Sequence, residues 1–261
     1  MSRVISVANQ KGGVGKTELA GNLGVGLAMA GKKVLVIDAD PQGNLTSSLG
    51  IDNADELENT LATFIEREIK EDPIPPEEYI LHNDEGVDIM PCNIKLAGMD
   101  YMIMNALSRE HLLEAFVSQV RDSYDFVIID CSPSLNLVTI NVLTAADTVI
   151  IPVEASYLSM TGLQQLLASI GSTKRKLNRK LEIEGIVINK VNTRTNHERD
   201  IVGRLREVYG SQIKVFDVMI PESVRAKECT AFGVSIYKHD PKGKVAKAFE
   251  ELTKEVLNYG C

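Results

Sequence analysis

The chain has 261 residues, of which 44% are hydrophobic and 25% are charged, and its formal net charge at pH 7 is −8. This length suits one large α/β domain or two small ones. The acidic balance argues against a generally basic nucleic-acid binder, so any DNA contact must come from a local patch. No apolar run approaches the ~18 residues of a membrane helix. The N-terminus shows no signal peptide, and we expect a cytoplasmic protein.

The first predicted elements are a strand, a glycine-rich loop and a helix. Residues 4–9 form an apolar run typical of a buried strand, and residues 19–30 are rich in Leu and Ala and end at Gly31, as helices often do. Between them lies the loop Lys11-Gly12-Gly13-Val14-Gly15-Lys16-Thr17. Glycines let backbone N–H groups close around a phosphate, Lys16 then reaches the β/γ oxygens, and the Thr17 hydroxyl can bind Mg²⁺. This order predicts phosphates at a helix N-terminus, which favours anions.

The loop departs from the strict phosphate-loop pattern in one respect. That pattern needs a glycine at position 10, where this chain has Gln10. The loop also begins with a second lysine, Lys11, which cannot easily serve the same phosphates as Lys16. We therefore predict that Lys11 acts across a dimer interface on the nucleotide of a partner subunit.

The rest of the chain alternates between apolar runs and helical patterns. Strands are predicted at residues 33–38, 87–91, 126–130, 148–153, 183–189 and 214–220, and helices at 109–123, 135–146, 159–177, 197–209 and 242–259. Such alternation indicates an α/β fold with a doubly wound, mostly parallel sheet and helices on both faces. The acidic, proline-bearing stretch 66–78 is interpreted as a surface loop or short helix. Because no linker or repeat is visible, we expect a single domain over residues 1–261.

Acidic residues follow two of the predicted strands. Asp38 and Asp40 come after the second strand, and Asp130 ends the central apolar strand. Ligands bind at the carboxyl ends of strands in such sheets. Asp130 therefore fits a Walker B aspartate that holds Mg²⁺ directly or through water, and Asp40 fits a residue that orients the attacking water. Asp38 is equally well explained as a structural cap. The predicted Mg²⁺ ligands are Thr17, Asp40 and Asp130, and the predicted catalytic residues are Lys11, Lys16 and Asp40.

Four motifs in combination resemble the ParA/Soj family of partition ATPases, and the similarity extends from about Arg3 to Leu257. The motifs are KGGVGKT at residues 11–17, DADPQGN at 38–44, VIIDCSPSL at 127–135 and IPESVRAKE at 220–228. The family belongs to the deviant Walker A group of P-loop NTPases, with MinD and the nitrogenase iron protein. The resemblance implies an ATP- and Mg²⁺-dependent switch. ATP drives formation of a sandwich homodimer, the dimer binds double-stranded DNA without sequence preference, and a ParB-type partner stimulates slow hydrolysis and release.

The resemblance also implies roles for individual residues. Lys11 would be the signature lysine that reaches the partner's phosphates, and Gly12 would lie where the two loops approach. The predicted nucleotide-binding residues comprise the loop, its following residue and three adenine-site matches: Lys11, Gly12, Gly13, Val14, Gly15, Lys16, Thr17, Glu18, Asn189, Met219 and Pro221. The predicted DNA-binding residues are Arg194, Arg225 and Lys227. An isolated surface lysine is more often simply solvated than part of a binding site.

The chain departs from the family pattern at two places. Cys229, Thr230 and Ala231 replace the residues that usually follow the DNA-binding arginine, which leaves open the shape of the DNA-facing loop. Many members have a second threonine where this chain has Glu18, which leaves open the ATP affinity and the rate of hydrolysis. We expect no N-terminal helix-turn-helix extension, because the first strand begins within four residues.

Two alternative functions are considered for the chain. A MinD-like membrane ATPase would need a basic amphipathic C-terminal helix, whereas residues 248–257 carry three glutamates. A very slow, ATP-bound DNA scaffold is the other alternative. For the partition ATPase we expect a cytoplasmic, nucleoid-associated protein.

Overall fold

The structure, a computed structural model, describes residues 2–192 and 196–259. One eight-stranded sheet consists of β1 (Arg3–Val7), β2 (Val34–Ala39), β3 (Leu81–His82), β4 (Asp88–Met90), β5 (Phe126–Cys131), β6 (Thr148–Glu154), β7 (Glu182–Val191) and β8 (Val215–Pro221). The strands lie in the order β3-β4-β2-β5-β1-β6-β7-β8. Every neighbouring pair is parallel except β3 and β4. The carboxyl ends of β1, β2, β5, β6 and β7 therefore meet at one edge, where ligands bind in such sheets.

Helices cover both faces of this sheet. They are α1 (Lys16–Met29), α2 (Asn44–Ser48), α3 (Leu61–Ile69), α4 (Met99–Met104), α5 (Leu112–Val120), α6 (Leu137–Ala145), α7 (Tyr157–Lys176), α8 (Asn196–Tyr209), α9 (Val224–Phe232), α10 (Ile236–His239) and α11 (Lys244–Leu257). Side chains of the central strands alternate between two apolar cores, because successive residues of a strand point to opposite faces. Leu35 and Ile37 pack with α3 to α7, while Val34 and Val36 pack with α1, α9, α10 and α11. The predicted fold class is confirmed.

Helix α1 joins the phosphate loop to the second of these cores. It packs so closely on the sheet that a Cβ atom on Gly24 would lie 2.7 Å from Cγ1 of Val36. Gly15, at the N-cap, has φ +87°, which a residue with a side chain rarely adopts. The glycines of this segment therefore serve two purposes, a tight turn and a close approach of helix to sheet.

The structure corrects several predicted boundaries and adds short elements. Strands β2, β5 and β6 each continue one residue further than predicted, whereas α5 and α11 are shorter than predicted at both ends. The stretch 66–78 is not one loop: its first residues end α3, and its last lie in a 3₁₀ turn at Pro76–Tyr79. The elements β3, α2, α3, α4, α9 and α10 were not predicted as such. Within the described ranges, no helix is long and apolar enough to cross a membrane.

Candidate nucleotide-binding site

A cleft of about 640 Å³ opens at the carboxyl ends of the central strands. The loop between β1 and α1 forms its floor, and the loops after β2 and β5, the end of β7 and helix α9 form its sides. Its lining residues are Gly12, Gly13, Gly15, Lys16, Thr17, Glu18, Asp40, Pro41, Gln42, Asn44, Ser132, Pro133, Ser134, Lys190, Ala226, Lys227 and Thr230. The cleft therefore brings together the predicted phosphate loop, Asp40 and one predicted DNA-binding residue.

The phosphate loop is a rigid turn at the N-terminus of α1. Gly13 and Gly15 both have positive φ, at +77° and +87°. A Cβ atom on Gly15 would also lie 2.1 Å from Nδ2 of Asn189, so this position has room for glycine alone. Lys16 is buried, and burial lowers the pKa of its ammonium group while Asp130 opposes that shift. A buried ammonium at the positive end of a helix strongly favours an anionic ligand.

Thr17 and Asp130 form a pair below this loop. The Thr17 hydroxyl donates to Oδ2 of Asp130 at 2.6 Å. Asp130 is fully buried, and its Oδ1 has no hydrogen-bond partner. Burial, together with the charge of Asp38, raises the pKa of Asp130 well above its usual range. A buried carboxylate oxygen without a partner beside a hydroxyl suits a hard divalent cation.

A cation at this point would need ligands from elsewhere as well. In the described part of the chain, no group of three or more His, Cys, Asp or Glu side chains could hold a metal ion. Mg²⁺ commonly binds through one or two carboxylates together with phosphate oxygens and water. The residues present therefore fit a nucleotide-associated Mg²⁺ ion better than a permanent metal centre.

The loop after β2 is held by Asp38. This fully buried carboxylate accepts hydrogen bonds from the Thr46 amide and hydroxyl and from the Asp40 amide. Burial raises the pKa of Asp38 to about 6, although the contacts with Thr46 oppose the shift. Asp40 itself lines the cleft and accepts from the Gln42 amide at 3.0 Å. Asp38 thus acts as the structural cap, and Asp40 is the carboxylate that faces the cleft.

Lys11 lies at the rim of the cleft and contacts its own chain. Its Nζ is 2.8 Å from Oε2 of Glu154, at the end of β6, and 3.2 Å from the Ser156 hydroxyl. The Lys11 amide donates to Oδ1 of Asn9, whose Nδ2 donates to the Pro152 carbonyl. Side chains of the Lys11–Glu154 pair are about one-third exposed. The role of Lys11 across a dimer interface stays a prediction.

The three predicted adenine-site residues do not share one cleft. Asn189 is fully buried; its Nδ2 donates to the Val14 carbonyl, and its Oδ1 accepts from the Lys190 amide. Met219 and Pro221 line a different depression of about 370 Å³, between β8 and α11. The structure therefore shows Asn189 supporting the phosphate loop, and the adenine contacts of all three residues stay predictions.

Two of the three predicted DNA-binding residues, Arg225 and Lys227, lie on α9. Arg225 is exposed, with its guanidinium 3.6 Å from Glu228. Lys227 also lines the nucleotide cleft, and its ammonium is 2.9 Å from Glu222. Arg194 lies outside the described residues. Helix α9 thus connects the cleft to a surface that carries an exposed arginine.

Sequence reasoning missed Lys190. Its ammonium donates to the Gly13 carbonyl, and the residue lines the cleft. Its place in the sequence could have indicated this role, because Lys190 directly follows Asn189 near the carboxyl end of β7, where ligand-binding residues commonly lie. Ser132 and Ser134, which follow β5 in the same way, also line the cleft without having been predicted to do so.

Comparison with known proteins gives the family of the chain. Residues 2–183 match the family model AAA_31, described as an AAA domain. The chain is 38% identical over 260 residues to the sporulation initiation inhibitor protein Soj of Bacillus subtilis (strain 168), with 100% of both chains covered. It is 37% identical to the chromosome partitioning protein ParA of Myxococcus xanthus (strain DK1622), covering 98% of this chain and 88% of that protein.

A solved structure agrees with the fold. The crystal structure of cobyrinic acid a,c-diamide synthase from Mycobacterium smegmatis with bound ATP analog and magnesium is similar, with a TM-score of 0.85 and 33% identity. The match covers 98% of this chain and 95% of that one. With its phosphate loop, the buried aspartate behind it and full-length similarity to Soj, the chain belongs to the Soj/ParA family of P-loop partition ATPases.

Proposed function

We propose that the protein is an ATP-dependent switch that segregates DNA. The observation that carries this proposal is the pairing of Thr17 with a buried, half-satisfied Asp130 under a glycine loop, at the N-terminus of α1. That arrangement fits Mg²⁺ bound together with a triphosphate. The M. xanthus relative, named a chromosome partitioning protein, supports the segregation role, whereas the M. smegmatis protein supports only ATP and magnesium.

Each residue of the cleft has a task in this proposal. The loop amides and Lys16 bind the β- and γ-phosphates, and Thr17 and Asp130 hold Mg²⁺, which neutralises negative charge on the phosphates when bound. Asp40 orients the water that attacks the γ-phosphate. Positioning and electrostatics provide most of the catalysis in phosphoryl transfer, so these fixed groups are enough for slow hydrolysis.

Lys11 makes the switch dimeric. Its ammonium leaves Glu154 and contacts the phosphates of a partner's nucleotide, a charge-assisted contact worth about 1.5–3 kcal/mol. Two symmetric contacts of this kind make dimerisation depend on ATP. Dimerisation doubles the cations offered to DNA, among them Arg225 and Lys227, and so creates a nucleoid-associated state in the cytoplasm. A ParB-type partner then accelerates hydrolysis and releases the DNA.

Removal of the Asp40 carboxylate tests the chemical part of this proposal. We expect Asp40→Ala to bind ATP almost as well as the parent and to hydrolyse it at least about tenfold more slowly, since a water-orienting group acts mainly in the transition state. Phosphate release and titration with a non-hydrolysable ATP analogue measure the two effects separately. The exposed Asp52→Ala is the matched control. Parental turnover in Asp40→Ala would assign the role to another residue.

A further inference from the structure

Lys190 has an unusual backbone conformation. Its φ is +55°, in the left-handed region that glycine adopts freely and a residue with a Cβ atom adopts at a cost. Lys190 is the second-last residue of β7 and lines the cleft. Strained residues of this kind persist where the surrounding structure holds them in place, and they are common at ligand sites. The side chain of Lys190 has a contact of its own with the phosphate loop.

That side chain acts on the phosphate loop. The Lys190 ammonium donates to the Gly13 carbonyl, and the neighbouring Asn189 amide donates to the Val14 carbonyl at 2.9 Å. Two successive carbonyl groups of the loop are thus held by two successive residues of β7. In a trans peptide the C=O and the following N–H point in opposite directions. These contacts therefore also fix the directions of the N–H groups of Val14 and Gly15.

Lys190 and the acidic residue Glu18 line the same cleft. Oε2 of Glu18 lies beside Gly15, 3.4 Å from where a Cβ atom of that glycine would be. Burial raises the pKa of the Glu18 carboxyl, and the positive charges of Lys190 and Lys227 oppose this shift. A carboxylate at this position repels bound phosphates, so its charge must be offset for a triphosphate to bind tightly.

We propose that Lys190 is a positioning residue for nucleotide binding, which fixes the phosphate loop through the Gly13 carbonyl and offsets the charge of Glu18. This inference rests on the proposed ATP-binding function. It makes two different demands on one residue: its backbone lowers the stability of the fold, while its side chain raises the affinity for nucleotide. If Lys190 had only a structural role, its substitution would change the stability of the fold and the affinity for nucleotide in the same direction.

Two substitutions separate these demands. Lys190→Gly removes the side chain and the backbone strain, whereas Lys190→Met removes only the charge. We expect Lys190→Gly to melt at a temperature no lower than the parent, and both variants to bind a non-hydrolysable ATP analogue with Mg²⁺ about tenfold or more weakly. Calorimetric titration and thermal unfolding without nucleotide give the two readouts. The exposed Lys32→Met is the control.

A double substitution tests the link to Glu18. If Lys190 offsets that carboxylate, Lys190→Met should cost less affinity in a Glu18→Gln background than in the parent. Equal costs in both backgrounds would overturn the charge-balancing role. Parental affinity in Lys190→Gly and Lys190→Met, or a fall in melting temperature of Lys190→Gly, would overturn the inference alone. A parent that binds no ATP analogue would overturn the proposed function as well.

Discussion

Asp130 lies wholly inside the protein, with Thr17 bonded to one of its carboxylate oxygens and nothing bonded to the other. Its raised pKa means that the folded chain holds a proton more tightly than the unfolded chain does. Stability contributed by this group is therefore greatest at low pH and is lost as the pH rises. Asp38, with a pKa of about 6, acts in the same direction. Asp130 and Asp38 therefore lower the stability of the fold at neutral pH, and Asp130 provides a carboxylate that can bind a cation.

The burial of Asp130 gives a prediction about the stability of the fold. Without nucleotide, Asp130→Asn should be more stable than the parent at pH 7.5, by on the order of 1–3 kcal/mol, because it removes a buried carboxyl group whose ionised form burial disfavours. The gain should shrink at pH 5.5, where the parent's carboxyl is more often protonated. Urea unfolding at both pH values measures it, with the exposed Asp122→Asn as control. Mg²⁺ should no longer tighten ATP binding by the variant. Equal stability at pH 7.5 would contradict this account of Asp130.

A second prediction concerns the ion pair between Lys11 and Glu154. If Lys11 must leave Glu154 to reach a partner's phosphates, Glu154→Gln should lower the ATP concentration required for dimerisation. A pair that is about one-third exposed is worth up to about 1 kcal/mol, so the two pairs of a dimer correspond to at most about a thirtyfold change in the dimerisation constant. Light scattering during an ATP titration gives this midpoint, and the exposed Glu58→Gln should leave it unchanged. A higher midpoint for Glu154→Gln would mean that Glu154 stabilises the dimer instead.

At the scale of elements, the central strands and the longest helices were predictable, whereas β3 and five helices were not: α2, α3, α4, α9 and α10. The central strands are buried on both faces, so they form continuous apolar runs that are easy to recognise. Short helices such as α2 and α10 carry too few residues for a helical period and depend on tertiary packing. Helix α9 did have local signals, with Ser223 as its N-cap and Gly233 in the left-handed conformation at its end.

The positions of some site residues were predictable from the sequence, and those of others were not. Lys16, Thr17 and Asp130 were predictable, because a local motif and a strand end fix their positions. The adenine assignments came from the family resemblance, which does not give the pairing of β8 with β7, and that pairing contains register shifts between Ile186 and Val191. A shift of one residue turns a side chain to the other face, so spacing alone could not show that Met219 and Pro221 line a separate depression.

The packing of α1 gives a prediction at this scale. Gly24→Ala should destabilise the protein by about 1–3 kcal/mol, because the added methyl would collide with Val36, a stiff side chain in a central strand. Gly203 provides the matched control, since a Cβ atom there meets nothing within 4 Å on α8. Gly203→Ala should stabilise by roughly 0.5–1 kcal/mol. Urea unfolding of both variants measures the contrast, and stabilisation by both would contradict the close approach of α1 to the sheet.

At the scale of the whole molecule, DNA binding must overcome an unfavourable net charge. Two chains of −8 give a dimer of −16. Attraction to DNA must therefore come from a short basic surface, and in the single chain Arg225 and Lys227 are each paired with a carboxylate. Dimerisation brings two copies of this surface together. If Arg194, Arg225 and Lys227 meet phosphates in both subunits, about six counterion-releasing contacts form.

DNA binding by the parent and by Lys11→Ala, followed by fluorescence anisotropy with random-sequence duplex DNA, tests the switch most directly. With Mg²⁺ and a non-hydrolysable ATP analogue, the parent should bind DNA with a slope of log affinity against log salt on the order of −5. With ADP it should bind far more weakly. Lys11→Ala should still bind the analogue through Lys16 but should bind DNA no better than the parent with ADP. DNA binding by the parent that is equally strong with ADP, or parental DNA affinity in Lys11→Ala, would contradict an ATP-driven switch.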